Sequence, residues 1–250
     1  MAEQKDFSKA IIVLGLLLAI GMASAAYILG VQAKRAVAGQ QSITVKGLAE
    51  KPIQADSATW TLNVGVSDME QRGALDKLAN ERKVLEAFLV KQGLPKETWQ
   101  WQVESIGDHY EEIFVKDTPR QVKRGYDAFQ SVTVSSKDLA KITQANQAIL
   151  QLRADNHPIS AQPPEYLVSG LEAVKMSLIA DATKNARARA TEFVKQDGVK
   201  VGVMKSANQG AFYILAKGGE AGDDSYGGVY DKSTIDKTAR VVVTIVYNIE

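Results

Sequence analysis

The chain predicts an α+β fold, with largely antiparallel sheets packed against amphipathic helices and one N-terminal transmembrane helix in front. Three observations carry that expectation. Residues 10–33 (AIIVLGLLLAIGMASAAYILGVQA) hold no charge and lie between Lys9 and the pair Lys34 and Arg35. Beyond them, segments of two-residue alternation, such as 57–66, trade places with segments of helical period, such as 69–91. The elements follow in the order strand, strand, helix, strand, strand, helix, then helix and strands. A subdivision into two subdomains near residues 155–170 fits that order.

At 1.5 Å per residue, the uncharged stretch is long enough to cross a hydrocarbon core about 30 Å thick. A second reading is a secretory signal, because Ala23-Ser24-Ala25 forms a small-x-small cleavage site after an apolar run. The apolar character continues through Tyr27, Ile28, Leu29 and Val31, which favours an uncleaved anchor. Lys5 and Lys9 on one side balance Lys34 and Arg35 on the other, so flanking charge sets no orientation. Residues 1–9 then form a tail, 10–33 the anchor or signal, 34–41 a tether, and 42–250 the folded part.

Four of the 30 basic and two of the 29 acidic residues lie in positions 1–35, which leaves 26 basic and 27 acidic residues in the remainder. Such a balance offers no concentrated basic face, so nucleic acid is not an expected partner. With no Cys, disulfides, thiolate metal sites and thiol nucleophiles are excluded.

The first strand is expected over 42–48, with a turn at Pro52. A half-buried strand follows, in which Ala58, Trp60, Leu62, Val64 and Val66 share the inner face. Leu75, Leu78, Val84, Leu85, Phe88 and Leu89 recur at helical spacing, and Gly93 with Pro95 stops that helix. Trp99, Trp101 and Val103 alternate again, as do Ala128, Val132 and Val134. Between them a long hairpin is expected, with a polar tip around Asp117, Thr118 and Pro119. Ser136 and Asp138 offer caps for a helix that reaches about Arg153, with Leu139, Ile142, Ala145, Ile149 and Leu150 inside.

After a short extended piece over 159–168, the longest soluble helix is expected over 170–196. Its stripe is Leu171, Val174, Leu178, Ala182, Ala186, Ala190, Phe193 and Val194, and its alanines allow close helix-to-sheet packing. Extended pieces over 199–209 and 212–216 and a strand over 238–249 finish the chain. In that last strand Ala239, Val241, Val243, Ile245, Tyr247 and Ile249 share a face. Residues 217–232 carry too many glycines for either regular element.

Three blocks, ITVKGLAEKPIQADSATWTLNVGV at 43–66, GYDAFQSVTVSSKDL at 125–139 and DATKNARARATEFVKQDGVKVG at 181–202, resemble the SIMPL-domain family. That family includes bacterial periplasmic immunogenic proteins and proteins named for oxidative-stress defence. Gly47, Pro52 and Asp56 match the first block's pattern, and Gly198 and Gly202 the third. The resemblance implies a bacterial envelope protein with antiparallel sheets and packed helices, and no agreed biochemical activity. It also implies stress tolerance as a role, and some relatives resemble subunits of ring- or channel-like oligomers. Many relatives carry a cleavable signal, from which the anchor-like segment here departs.

Candidate chemistry is sparse. His109 and His157 lack a second-ligand pattern, so a metal site would need Asp108, Glu111 and Glu112 to converge, and the expectation is no metal and no cofactor. Asp223 and Asp224 lack the spacing of a calcium loop. No nucleophile elbow or phosphate loop is present. Trp60, Trp99 and Trp101 read as core, and Lys184, Arg187 and Arg189 as a solvated helix face.

The expected protein is therefore a non-enzymatic, single-pass protein of the bacterial inner membrane. Its soluble domain faces the periplasm and works by oligomerisation or partner binding. The alternatives are a domain secreted to the periplasm after signal cleavage, and a carboxylate-dependent hydrolase or ligand-binding periplasmic enzyme using Glu104, Asp108 and Glu111. Ile113, Phe114, Val242 and Val246 are apolar at wet positions and are expected at contacts in a homo-oligomer.

Overall fold

The computed structural model describes residues 2–38, 41–115, 118–220 and 227–250. The Asp117 hairpin tip, the Asp223–Asp224 pair and tether residues 39–40 lie outside them. The architecture is α+β with antiparallel sheets, and the chain divides into two compact units, each discontinuous in sequence.

One unit holds residues 1–49, 177–211 and 241–250. Helix α1 (Ala2–Ala38) includes a stretch, Leu14–Gln32, that is apolar and long enough to cross a membrane. The helix continues past the Lys34–Arg35 pair, so the first positions of the expected tether are helical. β1 (Ser42–Gln54), β8 (Val201–Ala216) and β9 (Asp236–Ile249) form a three-stranded sheet in the order β1-β9-β8. Each of these three strands contributes residues to both units.

Helix α4 (Leu171–Lys195) lies against β1 through the predicted alanines. A Cβ at Gly47 would overlap the Ala182 carbonyl and sit 2.8 Å from the Ala186 Cβ. Asn185 Oδ1 accepts from the Leu48 N–H at 3.1 Å, and Arg189 Nη1 donates to the Lys46 carbonyl at 3.1 Å. The sequence requirement is therefore a Gly on the strand facing small residues on the helix, so that the two backbones approach closely.

The second unit holds residues 50–176 and 212–240. Its six-stranded sheet has the order β3-β5-β2-β6, with β4 paired to β5 and β7 to β2. The strands are β2 (Ser57–Asp68), β3 (Trp99–Trp101), β4 (Ser105–Val115), β5 (Thr118–Ser136), β6 (Ile159–Ala161) and β7 (Glu165–Leu167). Helices α2 (Gln71–Lys91) and α3 (Leu139–Ala154) send Leu78, Leu85, Leu89, Ile142, Ala145 and Ile149 into one core with Trp60, Leu62, Val64, Val132 and Val134. Burial alternates along β2 as its sequence predicts, and Asp138 caps α3 by accepting from the Lys141 N–H.

Four local expectations are corrected. Pro52 lies within β1 and the turn falls at Ala55–Asp56. β1 has one sheet neighbour, and a proline costs no ladder bond where its nitrogen faces away from the pairing side. Val103 is 92% exposed. Trp101 pairs with Val132 and Ser105 with Phe129, so the β3–β4 side carries one extra residue, and such a bulge reverses the alternation. Leu150 on α3 and Phe193 on α4 point to solvent, since each lies about 100° around its helix from the neighbouring buried Ile149 or Val194. Finally, the two extended pieces expected over 199–216 form the single strand β8.

Candidate functional site

One polar arrangement beside a cavity lies in the second unit, where β2 ends beside the base of the β4–β5 hairpin. A Cβ at Gly125 would overlap the Asp68 carbonyl and come 3.0 Å from the Met69 Cα, so glycine there lets the two segments touch. The register between β4 and β5 shifts between His109 and Tyr110, which turns the hairpin's outer half into a separate ribbon. A cavity of about 680 Å³ opens at this point, lined by Ser67, Asp68, Lys77, His109, Glu111 and Arg124 among others.

Asp127 sits at the centre. Ser67 Oγ donates to one carboxylate oxygen at 2.5 Å, and His109 Nδ1 lies 2.9 Å from the other. The Ser67 hydrogen bond, and then that of His109, hold the Asp127 carboxyl below its ordinary range. The order is serine, carboxylate, imidazole. A hydrolytic triad needs the imidazole between the other two, so that it can take the serine proton. Here the Ser67 proton points at the carboxylate, and the arrangement fixes side chains on a sheet surface. Asp68 accepts from the Glu70 N–H at 2.9 Å and pairs with Lys77 at 2.7 Å, which lowers its pKa as well.

The three carboxylates considered for acid–base work do not converge. Glu104 lies 3.6 Å from Arg82, Asp108 2.6 Å from Lys123, and Glu111 3.2 Å from Arg124. Each thus lies beside a different cation, Arg82 being shared with Glu86 at 3.0 Å, and the Lys123 contact holds Asp108 low while raising Lys123. An acid–base pair requires two carboxyls that share one site and whose environments drive their pKa values apart, whereas these three lie beside different cations. His157 Nδ1 is 2.8 Å from Glu81, and His109 is beside Asp127, so the two histidines serve different carboxylates. Among the described residues no group of three His, Asp or Glu side chains could hold a metal ion. Trp60 is fully buried, and Trp99 and Trp101 are half-buried against the same core.

Of the expected contact residues, Phe114 is 71% exposed and Ile113 half-buried on the outer ribbon. Val242 and Val246 are half-buried on β9. On α4, Arg187 lies 5.6 Å from the centre of the Tyr247 ring, and Lys184 pairs with Asp181 at 3.7 Å. These cations therefore have protein partners.

Sequence reasoning missed a buried ion pair. Lys237, 1% exposed, places Nζ 2.5 Å from the Asp231 carbonyl and 3.1 Å from its carboxylate. Burial of Asp231 opposes its charge, but bonds from Ser233, Thr234 and Lys237 outweigh it and hold the carboxyl far below its usual range. The signal was present, since Lys237 continues the inward face of Ala239 and Val241. A lysine at that register needs a buried acceptor.

A family described as SIMPL, protein of unknown function (DUF541), matches residues 43–247. No curated protein matches the chain. Among solved structures it is similar to the de novo designed protein Foldit4, at 10% identity over 42% of this chain and 93% of that one, with a TM-score of 0.24. It is also similar to a protein described as an amidohydrolase/peptidase from Burkholderia cenocepacia, at 16% identity over 49% of this chain and 28% of that one, with a TM-score of 0.23. For an amidase of the hydantoinase/carbamoylase family from Burkholderia phymatum the values are 13%, 52% and 32%, with a TM-score of 0.24. The chain thus spans under a third of the length of these two proteins, and likenesses at such scores carry no argument about activity.

Proposed function

The chain belongs to the SIMPL family of proteins of unknown function, and from that premise we propose that it is a non-enzymatic cell-envelope protein, held in the bacterial inner membrane by α1 with its folded part in the periplasm. The observation that carries this reading is the stretch Leu14–Gln32, none of which is buried within the protein. Leu14, Leu16, Leu17, Leu18, Ile20 and Leu29 all present more than half their surface, an apolar cylinder that water disfavours and lipid accepts. The folded part acts by assembly of identical chains. Its support is the β4–β5 ribbon beyond His109, which exposes Phe114 and Tyr110. A two-stranded ribbon is marginal in water unless another surface packs on it. A role in envelope stress tolerance rests on the family resemblance alone.

The test is fractionation with protease protection. The protein should remain with membranes through carbonate washing, and opening the outer membrane alone should expose the folded part to protease. Release by carbonate would indicate a cleaved signal, and digestion only after rupture of the inner membrane would reverse the topology.

A further inference from the structure

The solvent face of the six-stranded sheet is not uniformly polar. Phe129 is 53% exposed at its centre. It pairs with Gly65 on one side and Ser105 on the other. A Cβ at position 65 would come 2.7 Å from the Phe129 Cδ1 and Cε1, so the ring lies across the β2 backbone where a side chain would otherwise stand. Glycine there gives the ring a flat seat and leaves its other side to solvent.

The rows above and below this ring are built from hydrogen-bonding groups. In one, Ser131 Oγ donates to Asn63 Oδ1 at 2.7 Å. In the other, Ser67, Asp127 and His109 form the chain described above, with Gly107 opposite Asp127. Among the described residues, neither the Asn63 amide nitrogen nor His109 Nε2 has a protein partner. Each carboxylate oxygen of Asp127 keeps a lone pair beyond the bond it accepts. Rows two residues apart along a strand are about 7 Å apart, so donors and acceptors flank the ring on both sides at the reach of a six-membered sugar's hydroxyls.

We propose that this face binds the uncharged pyranose rings of a glycan, with Phe129 as the stacking platform and Asn63, Ser131, Asp127 and His109 as hydroxyl partners. The chemistry selects a neutral polyol. An aromatic face offers a C–H-bearing ring a broad apolar contact with a negative π surface, and the amide, hydroxyl and carboxylate groups beside it pair with hydroxyls. An anionic ligand is disfavoured, because Asp127 is held ionised beside the ring, and Lys77 and Arg124, the cations lining the neighbouring cavity, are engaged by Asp68 and Glu111. The proposal is independent of the assembly reading, which rests on the outer ribbon.

The test uses the full chain in lauryldimethylamine oxide micelles, because sugar-headed detergents would compete. Chitohexaose and cellohexaose serve as probes, followed by titration calorimetry and by saturation transfer from the protein's aromatic protons to the sugar. At least one hexamer should bind with a Kd on the order of 1 mM and receive saturation on its ring C–H protons. Phe129→Tyr should keep that affinity, and Phe129→Ala should weaken it about tenfold or more. No saturable binding of either hexamer up to roughly 20 mM overturns the proposal. So does unchanged affinity in Phe129→Ala, or a fall in sedimentation mass in that variant, which would assign the face to a second copy of the chain.

Discussion

Lys237 shows how a single residue can be placed by periodicity and yet explained only by the fold. Its ammonium is enclosed, and the loop that carries Asp231, Ser233 and Thr234 holds one carboxylate against it. Replacing Asp231 with Ala leaves that cation with a backbone carbonyl and the Tyr230 ring, whose centre is 5.9 Å away, and should cost about 3 kcal/mol of unfolding free energy, read by denaturant titration at neutral pH. The pH dependence has a definite sign. Because the folded-state pKa of Asp231 is depressed, its contribution is complete above the unfolded value of about 3.9 and is lost as pH falls toward the folded one. The gap between parent and Asp231→Ala should therefore narrow below about pH 4. A gap constant from pH 7 to pH 3 would refute this assignment. Gly47 supplies a second test, since a methyl group there meets the Ala182 backbone. Gly47→Ala should destabilise by about 1–3 kcal/mol, whereas Gly107→Ala, with open space around its Cβ position, should be close to neutral. Equal melting temperatures for the two variants would sink the close-packing account.

Among the elements, the β4–β5 hairpin departs most from simple periodicity. Its inner half belongs to the sheet, and its outer half pairs only with itself, stabilised by exposed contacts such as Lys123–Asp108 and Arg124–Glu111. Surface pairs of this kind contribute little, typically under 1 kcal/mol each. A ribbon so weakly held, carrying Phe114 and Ile113, fits a contact surface. The detergent-solubilised protein should accordingly sediment above monomer mass, and Phe114→Asp should lower that mass while the far-UV circular dichroism stays intact. A monomer for the parent at high micromolar concentration removes this role for the ribbon. The ribbon's length was legible in the alternation flanking residues 109–124. Its register shift at His109/Tyr110 and the extra residue between β3 and β4 were not, because a bulge is a property of the pair of strands and leaves no mark on either alone.

At the scale of the whole molecule, the sequence by itself determined the membrane-compatible helix, the α+β class, the alternation of β2 and β9 and the helical seams of α2, α3 and α4. Each is a one-dimensional pattern, written by which side of an element meets water. The family was legible for a related reason, since the blocks at 43–66, 125–139 and 181–202 carry the glycines and alanines that close packing demands. Tertiary structure alone decided which elements share a unit. β1, β8 and β9 divide their residues between two units, and no local signal marks the change at 49/50, 211/212 and 240/241. It also decided the grouping of Ser67, His109 and Asp127 and the seating of Phe129 over Gly65, residues separated by up to 64 positions in the chain. Strand pairing brings them together, and pairing depends on register between distant segments, where a slip of one residue would send every side chain to the opposite face.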